Sequence, residues 1–411
     1  MLGKDRARTD GAALLTTGKN MRKQRKSHGS FKLLVFLPAA LVGIGLLLAF
    51  LCGYLNPATF FFPALFGLAF PFIFILGIIL FIFNVCLLRK RSLFFLVCLL
   101  LNWNNVQNII QFKGELGHSS KGKDKAGQVK LMTYNVRMFD FYNLADKRPG
   151  EIKDEIMDFV ARQAPDILCF QEYYESKGKG FDITSVLRQA GYAYSTNPSL
   201  SAGGGFLYGN RIYSKYPILR QGDIPGLSRF DAVYADILIE GDTLRVYNLH
   251  LASNRFDRAD QEFFSSLASP LENAENYKKG AARMMKKLKE ATKKRFGQIR
   301  QVMLSAEEES APSRQVLCGD LNDQPVSYVY AYLERKGFRD AFVEKGHGLG
   351  QTYKGFYPSY RIDYILFKGE VSVTRFDTWK IGYSDHRPLS SVLKMASAAE
   401  GEAKERTKVR D

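Results

Sequence analysis

The sequence predicts an α/β domain that follows a membrane-embedded N-terminal third. Three observations carry this. Runs without a charged residue fill most of positions 33–112, strand-like and helix-like runs alternate over 128–396, and a polar functional group closes almost every strand-like run.

The apolar runs come first. Positions 33–55 carry no charge, and about 20 apolar residues suffice to cross a bilayer as a helix. Positions 60–88 are also uncharged, with Pro63, Gly67 and Pro71 as interruptions that lipid-embedded helices tolerate. The third run, 92–112, is strongly apolar at first, then meets Asn102, Asn104, Asn105 and Asn108. The first run is too long for the apolar core of a cleaved signal peptide and is closely followed by a second, so an anchor is the expectation. None of the runs holds an ionisable residue, which argues against a transport pathway.

Charge sets the expected orientation. The net charge is +17, and Lys4, Arg6, Arg8, Lys19, Arg22, Lys23, Arg25, Lys26 and Lys32 precede the first run. Arg89, Lys90 and Arg91 follow the second. The positive-inside rule places both clusters in the cytoplasm. Three spans then put the following domain on the non-cytoplasmic side of a cell membrane, as a multi-pass protein. A third run that only skims the interface would leave that domain inside.

The expected division is a basic tail at 1–32, a membrane anchor at 33–112, a linker at 113–127, a catalytic domain at 128–396 and a polar tail at 397–411. Of five cysteines, Cys169 and Cys318 fall in strand-like runs of the catalytic domain and read as buried thiols. No pair has C-x-x-C spacing, so no zinc or redox motif is indicated.

Within the catalytic domain, 130–136, 166–172, 243–251, 314–320, 362–367 and 388–394 read as strands. Residues 151–163 have helical spacing through Ile152, Ile156 and Phe159 or Val160. A longer helix is expected within 272–308, with Met284, Leu288, Phe296, Ile299 and Met303 along one stripe. Lys279, Lys286, Lys287, Lys289, Lys293 and Lys294 are expected on its opposite face, which suits a solvated surface or an anionic lipid or phosphate polymer. Strands alternating with helices imply a sheet covered by helices.

The strand ends carry the chemistry. Asn135, Glu172, His250, Asp320 with Asn322, Asp363, and Asp385 with His386 each close or follow such a run. Strands sharing a sheet edge can bring their ends into one crevice. Carboxylates crowded there need a cation to offset them, and oxygen ligands without cysteine indicate Mg²⁺, with Mn²⁺ or Ca²⁺ as alternatives. Hydrolysis of a phosphate ester fits this mixture, because it uses a cation, a base, an acid and hydrogen-bond donors. Each piece alone has a bland explanation: G-D-x-N is common in turns, and S-D-H suits a loop. Their joint occurrence in order is the signal.

T-x-N (133–135), Q-E (171–172), N-L-H-L (248–251), G-D-x-N (319–322), R-I-D-Y-I (361–365) and S-D-H-x-P (384–388) resemble the motif series of the endonuclease/exonuclease/phosphatase (deoxyribonuclease I-like) superfamily. With the apolar runs, the chain resembles a multipass membrane-anchored bacterial subgroup. The resemblance implies a four-layer α/β sandwich, two packed mixed β-sheets flanked by helices, behind a bundle of two or three transmembrane helices. It implies Glu172, Asn135 and Asp385 at the metal, Asp320 on the attacking water, and Asn322 on the developing charge. His250 would be general acid, and His386, oriented by Asp363, would contact the phosphate. The substrate would be a phosphodiester, the phosphate ester belonging to nucleic acid or to a phospholipid or phosphorylated small molecule; a lipid or sugar-phosphate monoesterase is the alternative, and a silent binding module a third reading. The lipid bilayer is an expected partner, and no obligate protein partner is expected. Ser359-Tyr360-Arg361-Ile362-Asp363-Tyr364 departs from the segment of inositol-phosphate 5-phosphatases, and His250 departs from the tyrosine of apurinic enzymes.

Overall fold

The computed structural model describes residues 37–114, 127–141, 150–176, 181–197, 205–266, 274–355 and 361–395. The basic tail 1–32, most of the linker and the polar tail 397–411 lie outside the described residues. Two compact units result: Met1–Leu51 with Leu65–Trp103, and Cys52–Ala64 with Asn104–Asp411.

The first unit is helical. Helices span Leu37–Cys52, Phe62–Leu68, Phe70–Cys86 and Arg91–Leu101. The second and third meet at a 74° bend, where Pro71 lacks the N–H that a continuous helix would use. Among the described residues no single helix is long and apolar enough to cross a membrane; the bent pair passes that test by length and composition. The expected continuous third run over 92–112 is corrected. It stops as a helix at Leu101, resumes at Trp103–Ile109 and ends as a strand. Asn102 is the reason: its fully buried amide donates to the carbonyls of Cys98 at 2.9 Å and Leu46 at 3.0 Å.

The second unit holds the sheets. Its strands are β1 (Gln111–Phe112), β2 (Gln128–Asn135), β3 (Ile167–Ser176), β4 (Tyr194–Ser195), β5 (Phe206–Ser214), β6 (Ile218–Asp223), β7 (Ala232–Ile239), β8 (Asp242–His250), β9 (Gln315–Asp320), β10 (Arg339–Asp340), β11 (His347–Gly348), β12 (Asp363–Lys368), β13 (Val371–Thr378) and β14 (Leu389–Met395). One six-stranded sheet runs β13-β14-β2-β3-β5-β4 and the other β10-β12-β9-β8-β7-β6. In each, one parallel pair sits among antiparallel neighbours: β2 with β3, and β8 with β9. Both sheets are therefore mixed.

Side chains alternate across each strand, and both faces of the central strands β2, β3, β8, β9 and β12 are largely buried. Leu131, Ile167, Cys169 and Ile212 of the first sheet face Ala235, Val246, Val316, Cys318 and Ile365 of the second. The intervening Met132, Tyr134, Leu168 and Phe170 pack under the helices Glu151–Gln163 and Ile183–Gln189. Leu249, Leu317 and Leu366 pack under Ala274–Ala306 and Tyr328–Arg335 through Phe296, Ile299, Val302, Val329 and Leu333. This is helix, sheet, sheet, helix, with strands apolar on both faces as central strands must be.

The long helix differs from expectation in one charge. Lys287 is not on the outer face. Its ammonium reaches Asp257 at 2.7 Å and Asp260 at 2.5 Å on the neighbouring helical segment. The linker also starts later than expected: Lys113 and Gly114 donate their backbone N–H groups to Gly346, and β1 pairs with β11. Arg361, buried against the Phe342 and Tyr364 rings, donates to the Asn108 carbonyl at 2.6 Å and pairs with Asp340 at 2.5 Å.

Candidate active site

The two parallel pairs end side by side. Asn135 is registered with Gln171 in one sheet, and His250 with Asp320 in the other. A buried polar bridge aligns the sheets: Gln171 Nε2 donates to Asn248 Oδ1 at 2.6 Å and to Thr133 Oγ1 at 2.9 Å. Asn248 Nδ2 in turn donates to the carbonyls of Phe170 at 2.8 Å and Arg211 at 2.9 Å. Sequence reasoning gave these three side chains no role, although Q-E, N-L-H-L and T-x-N contain them.

Local backbone then aims the functional groups. The β3–β5 ladder shifts register between Phe170 and Tyr173, which releases Glu172 from pairing. Glu172 and Asn322 hold left-handed φ values of 49° and 50°, a conformation that costs a non-glycine residue about 1–2 kcal/mol. At Gly319, φ is 120°, and a Cβ would stand 2.1 Å from the Leu249 carbonyl oxygen. Only glycine allows β8 and β9 to come this close before Asp320.

Asn135 Nδ2 lies 3.2 Å from Glu172 Oε1 and 3.2 Å from Asp320 Oδ2. His250 Nε2 lies 3.6 Å from Glu172 Oε1 and 3.8 Å from Asp320 Oδ2. His386 Nε2 is 3.7 Å from the same Asp320 oxygen, and its Nδ1 lies 2.9 Å from Asp363 Oδ2. Asp363 itself faces Asp320 across the β12–β9 pair. The Asn322 N–H donates to Asp320 Oδ1 at 2.8 Å, and Asn322 Nδ2 donates to the Leu251 carbonyl at 2.9 Å. One Nδ2 hydrogen of Asn322 remains for a ligand.

Asp385 stands beside this group. Its Oδ2 is 3.9 Å from Arg137 Nε, and its Oδ1 accepts from Ser384 Oγ at 3.3 Å. The Tyr353 ring packs on the His386 ring with centroids 5.1 Å apart. Arg137, Tyr353 and Ser384 were not anticipated. Asn135 Oδ1 accepts from the Arg137 N–H at 3.1 Å, while its Nδ2 faces both carboxylates. It stands as the donor between them.

The electrostatics follow from burial. Burial above all, with repulsion from Asp363, pushes Asp320 up to about 6 against the pull of His386 and His250. Burial opposes the charged form of His386, yet Asp363 and Asp320 push it up to about 10. A protonated imidazole thus sits between two carboxylates. Asp320, Asp363 and His386 offer ligand atoms within 4.8 Å of one another. With Asp363 engaged by His386, the oxygens of Glu172 and Asp320 are the ones that fit a hard divalent cation. The raised Asp320 reflects chiefly the cost of burying its charged form.

Residues 132–386 match the model of the Endonuclease/Exonuclease/phosphatase family. Residues 32–109 match a domain of unknown function, DUF8431. No curated protein matches the chain. Among solved structures, the endonuclease/exonuclease/phosphatase from Bacteroides vulgatus is 17% identical, with 66% of this chain and 99% of that one covered and a TM-score of 0.45. One from Beutenbergia cavernae is 17% identical, covering 66% and 72%, with a TM-score of 0.43. D. rerio TDP2, solved with a single strand DNA product, is 16% identical, covering 65% and 99%, with a TM-score of 0.45.

Proposed function

The chain belongs to the endonuclease/exonuclease/phosphatase family, and from that premise we propose that it is a membrane-anchored phosphodiesterase assisted by a divalent cation. The observation that carries the reading is the meeting of Asn135, Glu172, His250 and Asp320, from strands of two different sheets, with His386 from the loop before β14, through a chain of hydrogen-bond and ion-pair distances. As a family member it is a hydrolase acting on phosphate esters.

Glu172, with Asp320 beside it, would hold the cation; Mg²⁺ suits these oxygens, and Mn²⁺ or Ca²⁺ share the chemistry. When bound, the cation polarises the phosphoryl group and offsets its charge. The chain's own residues do the rest. His386, kept protonated by Asp363, donates from Nε2 to a phosphoryl oxygen. Asn322 offers its free Nδ2 hydrogen to the same developing charge. Asp320 accepts a proton from the attacking water through a carboxylate oxygen. His250, partly exposed at the lip of the site, protonates the departing oxygen from Nε2.

The substrate is a phosphodiester, with nucleic acid as the leading class. The uncharged helices and the bent pair support a multipass anchor, and the basic clusters flanking them support a catalytic unit on the non-cytoplasmic side. The full chain with Mg²⁺ is expected to cleave bis-p-nitrophenyl phosphate, and Glu172→Ala and His386→Ala are expected to abolish turnover. Equal rates in those variants would reject the reading. DNA, RNA and phospholipids offered in parallel separate nuclease from lipid or monoester chemistry. Protease added to intact cells tests the side of the membrane.

A further inference from the structure

The loop that leaves β8 follows His250 and the loop that leaves β9 carries Asn322; Leu251 and Leu321 still bond back, to the Asp320 and Ile362 carbonyls, each at 2.9 Å. Both are gripped by the helix Ala274–Ala306 through two side chains one turn apart. Arg295, only 3% exposed, donates Nη1 to the Ala252 carbonyl and to Asn254 Oδ1, each at 3.0 Å. Its Nε donates to Asp323 Oδ2 at 3.2 Å, and its Nη2 to Thr292 Oγ1 at 3.0 Å, which fixes the guanidinium plane. Gln298 takes the N–H of the same residue: its Oε1 accepts from Ala252 N at 2.9 Å. Its Nε2 donates to Asp231 Oδ1 at 2.7 Å, and the Asp231 carbonyl accepts the His250 N–H at 2.8 Å.

We infer that Arg295 and Gln298 are positioning residues that fix His250, the proton donor to the departing oxygen, relative to the scissile group. This rests on the phosphodiesterase reading above. One guanidinium spans the two loops, so Asn322, itself bonded to the Leu251 carbonyl, cannot shift without moving the chain that follows His250. A planar fork with several donors suits this task; a lysine offers one ammonium and cannot reach both loops in one plane. Misplacing an acid by about 1 Å can cost on the order of 100-fold in rate.

The test uses the full chain and two probes that differ in leaving group. A thymidine dinucleotide releases an alkoxide that needs a proton, whereas bis-p-nitrophenyl phosphate releases a phenolate that does not. In Arg295→Met, kcat on the dinucleotide is expected to fall about 100-fold with KM within about twofold, and the p-nitrophenyl diester to lose only a few-fold. Arg295→Lys should recover part of the loss, and Arg300→Met, exposed on the same helix, should change neither probe. Equal losses on the two probes in Arg295→Met would overturn the inference. Amide exchange of segment 251–254 is expected to quicken in Arg295→Met and Gln298→Ala while β9 keeps its protection; unchanged exchange would also overturn it. If the wild-type chain cleaves neither probe, the phosphodiesterase reading fails and the exchange result alone decides the clamp.

Discussion

Asp363 Oδ2 lies 2.9 Å from Nδ1 of His386, and both groups are almost wholly buried. The carboxylate fixes which ring nitrogen faces the site and keeps the imidazole charged. Asp363→Asn preserves shape but removes that charge. We expect kcat on a phosphodiester to fall on the order of 10³-fold with little change in melting temperature. A variant with wild-type turnover would show that His386 needs no orienting partner.

Cation binding should stabilise the fold, because Glu172 and Asp320 converge in both sheets' shared cleft. At a concentration 100 times the Kd, Mg²⁺ should add about 2.7 kcal/mol, visible as a higher melting temperature that EDTA reverses. Glu172→Gln should lose most of this shift. An equal shift in both proteins would place the cation elsewhere.

The polar bridge between the sheets makes a second stability prediction. Asn248→Ala would take the acceptor from one Gln171 Nε2 hydrogen and the side-chain donor from the carbonyls of Phe170 and Arg211. Each buried group left unpaired costs about 1–3 kcal/mol, so a loss of several kcal/mol in chemical denaturation is expected. A loss under about 1 kcal/mol would show that the bridge is dispensable.

Acid should loosen one element before the rest. Burial works against it, but Lys287 and Arg283 hold Asp260 well below the usual carboxylate range. A depressed carboxylate contributes stability above its unfolded value of 3.8, and that contribution fades as pH falls through the folded value. The helix Arg258–Ser266 should therefore gain exchange below about pH 4. Asp260→Asn should show that faster exchange already at neutral pH, and protection independent of pH in the wild type would contradict the assignment.

The start of a truncated chain should matter. A fragment beginning at residue 114 lacks β1 and the Asn108 carbonyl that accepts from buried Arg361. It should melt below a fragment beginning at 104 by an amount consistent with about 1–3 kcal/mol for the stranded donor. Equal melting would mean that water replaces that acceptor.

The central strands were legible because burial on both faces makes them near-continuous apolar runs. The helix Glu151–Gln163 coincides with its expected bounds, since its apolar spacing is regular and acidic residues open it. Strands β5, β6, β7 and β13 escaped. In β5 the sequence Tyr208-Gly209-Asn210-Arg211 hides the strand behind polar and flexible residues, and β6 and β13 are edge strands with mixed exposure. The third apolar run misled because composition does not reveal that Asn102 turns back onto helix carbonyls. At the site, the motif residues were readable as strand ends. The roles of Gln171, Asn248, Arg295 and Gln298 were not, because each acts across elements far apart in sequence, where spacing carries no signal.

The two parallel pairs, one per sheet, have a consequence for how the molecule fails. Asn135 and Glu172 belong to one sheet, while His250, Asp320 and Asp363 belong to the other. Neither half encloses a working cleft, so a urea titration followed by turnover and by circular dichroism should trace a single midpoint.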